Sequence, residues 1–70
     1  MAKSVSVNQT IVFTRDYEDG WFKGDRTIRQ GTRVMVTRVH RGLLGDTTHL
    51  DVRLPDGARI REVEFDYFSA

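Results

Sequence analysis

Short stretches of alternating apolar and polar residues, bounded by turn residues, run along most of this 70-residue chain. The clearest is the segment 50–61, LDVRLPDGARIR. In it, Pro55 suits the first central position of a type I turn, and Gly57 suits the left-handed position that closes a three-residue loop. The segment therefore predicts a tight antiparallel hairpin at 50–61.

The loop also predicts which residues of this hairpin face each other. When Leu54 lies opposite Ala58, apolar residues face the core and polar residues face water. The predicted pairs are Val52 with Ile60 on the apolar side, and Asp51 with Arg61 and Arg53 with Arg59 on the polar side. Because like charges directly opposite destabilise a sheet, the Arg53–Arg59 pair indicates either a bound anion or side chains that splay apart.

The same alternation along the rest of the chain predicts an all-β fold. Strands are expected at 10–15 (with Val5 and Val7 as a possible extension), 32–40, 48–54 and 59–63, with a short last strand and a 3₁₀ turn within 64–68. Residues 16–30 are predicted to form a long first loop, and residues 41–47 a short one. Turn signals spaced about eight to twelve residues apart are typical of a barrel or sandwich.

In two of these strands, the apolar residues switch part-way along from one face of the sheet to the other, which we call a change of phase. Val36 lies on one face of its strand and Val39 on the other, which predicts a bulge or bend near Thr37–Arg38. The same change occurs between Ile60 and Val63. Two bent strands in so short a chain favour a barrel over a flat sandwich.

Five short strands, a long first loop and a tight distal hairpin together resemble an SH3-like barrel. Within that arrangement, Gly31-x-x-Val34-x-Val36 followed by Gly42-x-x-Gly45 resembles the KOW motif of ribosomal and transcription-elongation proteins. In that family the glycines permit a bent strand and a tight loop that approaches RNA or protein closely. The resemblance implies a binding role, although a glycine expected after the second valine is missing and the last glycine lies one position early.

A second resemblance concerns the long first loop. Asp16-Tyr17-Glu18 and Phe22-Lys23-Gly24-Asp25 are similar to two signatures of eukaryotic SH3 domains, which bind proline-rich peptides. The segment between the two signatures is much shorter than in that family, and no tryptophan pair follows. Peptide binding of that kind is therefore the weaker interpretation.

Composition narrows the class of protein. Eleven basic residues, nine of them arginine, nearly balance ten acidic ones, whereas a non-specific DNA-coating protein shows a larger positive excess. The chain has no cysteine, so it has no disulfide and no thiolate metal site. Nothing in the given sequence resembles a signal peptide, and no apolar run reaches membrane-spanning length. We expect one cytoplasmic domain over 1–70, with residues 1–4 disordered and no membrane partner.

No arrangement of residues predicts catalysis, a cofactor or a metal. The serines lie near the two ends of the chain, far in sequence from either histidine, and no phosphate-cradling glycine pattern is present. His40 and His49 bracket the 42–45 loop and could join Asp46 or Asp51 in a minimal metal site. Two histidines without a third characteristic ligand are more often surface side chains.

The arginine-rich surface is the main candidate site. Arginines at 53, 59 and 61 are predicted to share one patch, with one at 38 or 41 on the neighbouring strand, and Trp21 offers a ring for base stacking or for a protein contact. The candidate residues are Arg38, Arg41, Arg53, Arg59, Arg61 and Trp21. The alternation of Glu62, Glu64 and Asp66 with apolar residues predicts an acidic stripe elsewhere on the surface.

These observations predict a non-enzymatic binding module. The first expectation is association with nucleic acid, or with a nucleic-acid-handling complex of the transcription or translation type, through the arginine hairpin and the 42–45 loop. The alternative is a protein–protein interaction module, such as a small phage- or plasmid-encoded regulator or inhibitor of a host protein. A homo-oligomer whose site forms at the interface is a third hypothesis.

Overall fold

A computed structural model describes residues 5–19 and 26–69, and these residues are mostly β-strand. The described strands are β1 (Thr10–Phe13), β2 (Tyr17–Asp19), β3 (Arg26–Ile28), β4 (Arg33–Arg41), β5 (Thr47–Arg53), β6 (Arg59–Glu64) and β7 (Phe68–Ser69), with a 3₁₀ turn at Phe65–Tyr67. Within these ranges, no helix is long and apolar enough to cross a membrane. The expected disorder of residues 1–4 concerns a segment outside the described residues.

The strands form two antiparallel sheets. Five of them hydrogen-bond in the order β6-β5-β4-β1-β7, and β2 pairs with β3. The all-β prediction is confirmed, but the hydrogen-bonded sheets of the described residues do not close into a barrel. The segment predicted as a long first loop also contains the short β2–β3 pair, because Arg26-Thr27-Ile28 lies beside Tyr17-Glu18-Asp19.

The predicted bulge near Thr37–Arg38 is confirmed. Val36 pairs with Val52, and the next pair is Arg38 with Asp51, so Thr37 is an extra residue in β4. An extra residue bends its strand and increases its twist. The bend brings Val39 towards the core side, where it packs against the buried cluster.

The register of the distal hairpin is partly as predicted. Arg53 pairs with Arg59 and Val52 with Ile60, but the following pair is Leu50 with Val63. The predicted Asp51–Arg61 pair is therefore wrong, because β6 carries an extra residue at this point. Glu62 adopts a left-handed conformation with φ of 54°, which is unusual for a residue with a Cβ atom.

The core lies against one face of the five-stranded sheet. It consists of buried apolar side chains from every strand of that sheet together with Val5, Ile28 and Leu54: Val5, Ile11, Phe13, Ile28, Val34, Val36, Leu50, Val52, Leu54, Ile60, Val63 and Phe68. Their alternation with exposed residues leaves the opposite face of β4, β5 and β6 polar. That polar face is where the candidate site lies.

Aromatic side chains close one end of this core. The ring of Phe13 lies 4.5 Å from that of Phe68 and 5.8 Å from that of Tyr17, and Tyr17 meets Tyr67 edge-on at 5.1 Å. The Arg15 guanidinium lies 4.8 Å from the centre of the Tyr67 ring. The sequence favours Phe22 as an end plug, but Phe22 lies outside the described residues.

Candidate binding site

The candidate site lies on the polar face where β4, β5 and β6 run side by side. A concavity of about 370 Å³ opens there. It is lined by Thr37, Arg38, His40, Asp51, Arg59, Ile60, Arg61 and Glu62. Both bulges contribute to it, because the extra residue of β4 lies on one side of Asp51 and that of β6 on the other.

Asp51 lies at the centre of this concavity and holds the β6 bulge in place. Its Oδ1 atom accepts a hydrogen bond of 2.8 Å from the Glu62 backbone N–H and lies 2.8 Å from His40 Nε2. The bulge takes Glu62 out of the regular ladder with β5, and the carboxylate supplies an acceptor for its N–H. Asp51 is therefore a structural residue of the site, with only 17% of its side chain exposed.

The environment of Asp51 changes its acidity. Burial by itself raises the pKa of a carboxyl group, but the hydrogen bonds from Glu62 and His40 oppose it. The electrostatic interactions of Asp51 with His40 and Arg38 lower its pKa further, in the same direction as the hydrogen bonds. The net result is a pKa of Asp51 below its ordinary value of 3.8.

A lowered pKa makes stability depend on pH in a defined direction. The folded state binds the Asp51 proton less tightly than the unfolded chain does, so the stabilisation is fully present above the unfolded value of 3.8 and is lost as pH falls through the folded value. Asp51→Asn is expected to lower the free energy of unfolding at neutral pH by about 1–2 kcal/mol, since it weakens a charged hydrogen-bond acceptor. The difference from wild type should shrink below pH 4, as urea unfolding from neutral to acidic pH would measure.

The control for this experiment is Glu64→Gln, which removes an exposed negative charge from the neighbouring strand of the same sheet. It leaves the acceptor of the Glu62 N–H intact and should change neutral stability by less than about 0.5 kcal/mol. An Asp51→Asn variant as stable as Glu64→Gln at neutral pH would show that the carboxylate does not hold the bulge.

Three of the predicted arginines meet at the concavity. Arg38 comes from β4, and Arg59 and Arg61 come from β6, so they approach from both sides of Asp51. Among the side chains that the structure describes (residues 5–18 and 27–69), no carboxylate lies within ion-pairing distance of these three guanidinium groups. A guanidinium group has a fork of N–H donors that can bind a planar anionic group such as a phosphate or a carboxylate.

The other predicted site residues lie elsewhere. Arg53 faces Arg59 as predicted, but it lines a separate concavity of about 300 Å³ together with Met35. Arg41 lies at the end of the β4–β5 hairpin, where its Nη1 donates to the Gly45 carbonyl oxygen at 3.3 Å. Trp21 lies outside the described residues.

The two histidines are paired across β4 and β5, as their positions around the loop suggested. Only His40 reaches Asp51 at hydrogen-bond distance. Within the described parts of the chain, no group of three or more histidine, cysteine, aspartate or glutamate side chains is placed to hold a metal ion. The His40–Asp51 contact is a hydrogen bond between two residues that line the concavity.

Sequence reasoning missed two features of this part of the molecule. The first is the contact of Asp51 with His40, since a regular register assigns that carboxylate to Arg61. The second is the exposure of Leu43 and Leu44 at the end of the β4–β5 hairpin. The exposed leucines could have been noticed in the sequence, because two adjacent leucines between glycines are unusual in a predicted turn.

Comparison of the chain with protein-family models, with curated proteins and with solved structures found no match.

Proposed function

We propose that this protein is a non-enzymatic binding module with an SH3-like barrel fold, and that it holds nucleic-acid phosphates in the concavity of Arg38, Arg59 and Arg61. The observation that carries the proposal is that three arginines from two strands line one concavity. Fork-shaped donors that have no carboxylate partner among the described side chains suit phosphate oxygens, which accept two N–H bonds from one arginine.

The proposal of an SH3-like barrel rests on the order of the strands. A sheet order of β6-β5-β4-β1-β7, a tight β5–β6 hairpin and a 3₁₀ turn before the last strand match what the sequence resemblance implies. The bends at Thr37 and Glu62 curve β4 and β6, as a small barrel requires. On this proposal the concavity lies outside the barrel, on the convex side of the curved sheet.

The proposed contact is with the phosphate backbone and is independent of base sequence. The described lining of the concavity contains no phenylalanine, tyrosine or tryptophan ring to stack on a base, and its one imidazole, that of His40, is held at hydrogen-bond distance by Asp51. Arginine forks bound to phosphate position a protein on nucleic acid but do not read sequence. Single strands of RNA and DNA, and duplexes of any sequence, should therefore compete for the same surface.

Salt dependence tests this function directly. Three phosphate contacts predict a log–log slope of affinity against salt concentration of about −2 to −3. Fluorescence anisotropy with labelled single-stranded DNA, single-stranded RNA and duplex DNA at several salt concentrations would measure the slope. Absence of binding at low salt, or an affinity that does not change with salt, would exclude nucleic acid as the partner.

The second candidate is a protein partner with acidic side chains. It is supported by the acidic residues at this surface, since Glu62 lines the concavity and Glu64 and Asp66 are exposed outside it. The net charge of the whole chain is only +1. Alternating charge of this kind suits one complementary protein surface better than uniform coating of a nucleic acid. Recovery of one stoichiometric partner after nuclease treatment, lost on replacement of Arg59 and Arg61, would favour this candidate.

A further inference from the structure

His40 lines the same concavity as the three arginines and is held there by Asp51. Its Nε2 atom lies 2.8 Å from Oδ1 of Asp51, and 28% of its side chain is exposed. The same Oδ1 atom accepts the Glu62 backbone N–H at 2.8 Å, so one carboxylate oxygen holds both the imidazole ring and the β6 bulge. The ring therefore has a defined position in the concavity while part of it remains in contact with solvent.

The contact with Asp51 decides which ring nitrogen carries the proton of neutral His40. An ionised carboxylate only accepts hydrogen bonds, and the pKa of Asp51 lies below its ordinary value of 3.8. Neutral His40 therefore donates from Nε2, and its Nδ1 atom is unprotonated. Nδ1 makes no hydrogen bond with any group that the structure describes. A further proton can thus bind at Nδ1 without breaking the contact that holds the bulge.

Protonation of His40 changes the charge of the concavity in a simple way. With His40 neutral, the lining has three positive and two negative side chains, namely Arg38, Arg59, Arg61, Asp51 and Glu62. With His40 protonated, it has one more positive side chain, so the formal net charge doubles from one to two. The added charge lies beside Asp51, which otherwise weakens the attraction of the concavity for an anion.

Few side chains around His40 can change their charge near neutral pH. Histidine is the residue type that does so, and the second histidine, His49, lies opposite His40 but does not line the concavity. Arginine and carboxylate side chains ordinarily keep their charges between about pH 6 and 8. Those around His40 are Arg38 and Arg41 on β4, Asp51 on β5, and Arg59, Arg61, Glu62 and Glu64 on β6.

We propose that protonation of His40 strengthens the binding of nucleic-acid phosphates in the concavity, so that this protein binds them more tightly below neutral pH than above it. The inference rests on the proposed function and concerns the regulation of the same site. One extra unit charge near a phosphate in a largely solvated site is expected to raise affinity about three- to tenfold between about pH 8 and pH 6. By linkage, bound phosphate must in turn favour the charged form of the ring.

The probe for this proposal is labelled oligothymidylate without a terminal phosphate. Neither its bases nor its phosphodiester groups change charge near neutral pH, so a pH dependence of binding must come from the protein. Fluorescence anisotropy measures its affinity for the wild-type chain at several values between about pH 6 and 8. Ionic strength is held constant, because salt alters the affinity independently of pH.

A pair of variants assigns the pH dependence to one histidine. His40→Gln keeps a side chain that can donate to Asp51 but cannot gain a charge, so its affinity should change by less than about twofold over this range. His49→Gln, the matched control, removes the histidine outside the concavity and should keep most of the wild-type rise. A rise that persists in His40→Gln, or that disappears in His49→Gln, would overturn the proposal.

A measurement on the wild-type chain needs no variant to fold. The ring C–H resonances of His40 and His49 are followed by NMR across the same pH range, with and without oligothymidylate. The midpoint of the His40 titration should move to higher pH by about 0.5–1 pH unit on binding, which is the linked equivalent of the three- to tenfold change in affinity. The midpoint for His49 should move much less. A His40 midpoint that does not move would overturn the proposal.

The outcomes separate this proposal from the proposed function. Salt-dependent binding with the same affinity at every pH would overturn the inference about His40 and leave the proposed function standing. Absence of binding at low salt at every pH would overturn both. A His40→Gln variant that is less stable than wild type but has the same pH dependence of affinity would assign His40 a structural role alone, and would overturn the inference as well.

Discussion

Replacing Phe13 with alanine is expected to leave most of the chain unfolded at room temperature. Phe13 is 1% exposed and is the largest of the fully buried side chains. It contacts the rings of Phe68 and Tyr17, so its removal opens a cavity where β1 meets β7. Truncation of a buried phenylalanine costs about 3–5 kcal/mol. A domain of this size has about 3–5 kcal/mol of stability in total, so little or none remains.

Urea unfolding followed by circular dichroism would measure this loss. Val12→Ala is the matched control, since Val12 precedes Phe13 in β1 and is only partly buried on the opposite face. The control should cost about 1 kcal/mol and remain folded. If Phe13→Ala unfolded at the same urea concentration as Val12→Ala, the aromatic cluster would not be the element that closes the core.

A triple variant in which Arg38, Arg59 and Arg61 are all replaced by glutamine is expected to show no measurable binding of nucleic acid at physiological salt. A hydrogen bond to a charged group contributes about 1.5–3 kcal/mol, so losing three such contacts should weaken binding by a factor on the order of 1,000. The slope of log affinity against log salt should fall by about 2–3. Both quantities come from the anisotropy titration described for the wild-type chain.

The control for the triple variant removes the same number of positive charges from positions outside the concavity. Arg29→Gln/Arg33→Gln/Arg53→Gln removes three exposed arginines that do not line it. The affinity of this control variant for nucleic acid should fall by less than tenfold, because the loss of three positive charges weakens the electrostatic attraction of the whole protein. Equal losses in both triple variants would show that binding is spread over the surface, and would remove the concavity from the proposed function.

Both variants should be checked for folding before binding is interpreted. All six arginines are exposed, and exposed substitutions usually change stability by less than about 0.5 kcal/mol. Neutralising Arg59 also relieves its repulsion with Arg53 across the β5–β6 pair. The site variant is therefore expected to be as stable as wild type or slightly more stable.

The parts of this fold that depend on local chemistry could be predicted from the sequence. Pro55 and Gly57 specify their turn, and a turn specifies the register of the strands beside it until a bulge intervenes. The Arg53–Arg59 pair follows from that register and is confirmed. The bend near Thr37 was also predictable, because the change of phase between Val36 and Val39 requires an extra residue.

The candidate site could be predicted only in part. The phase change between Ile60 and Val63 predicted an irregularity in β6. It did not show which backbone N–H of β6 would leave the ladder and need another hydrogen-bond acceptor. Sequence reasoning therefore assigned Asp51 to Arg61, whereas its carboxylate accepts from the Glu62 N–H and from His40. The β2–β3 pair was missed for a similar reason, since three-residue strands carry too little alternation to identify.

The sequence by itself determined the β class, the tight distal hairpin and the pairing nearest its turn, because turn geometry and alternation act over a few neighbouring residues. Only the tertiary structure decided which arginines converge. Arg38 and Arg61 are far apart in the chain, and they line one concavity because β4 and β6 bulge on opposite sides of Asp51. The packing of the core sets the positions of those bulges. The sequence around each arginine does not show which polar side chains the bulges bring together on the opposite face of the sheet.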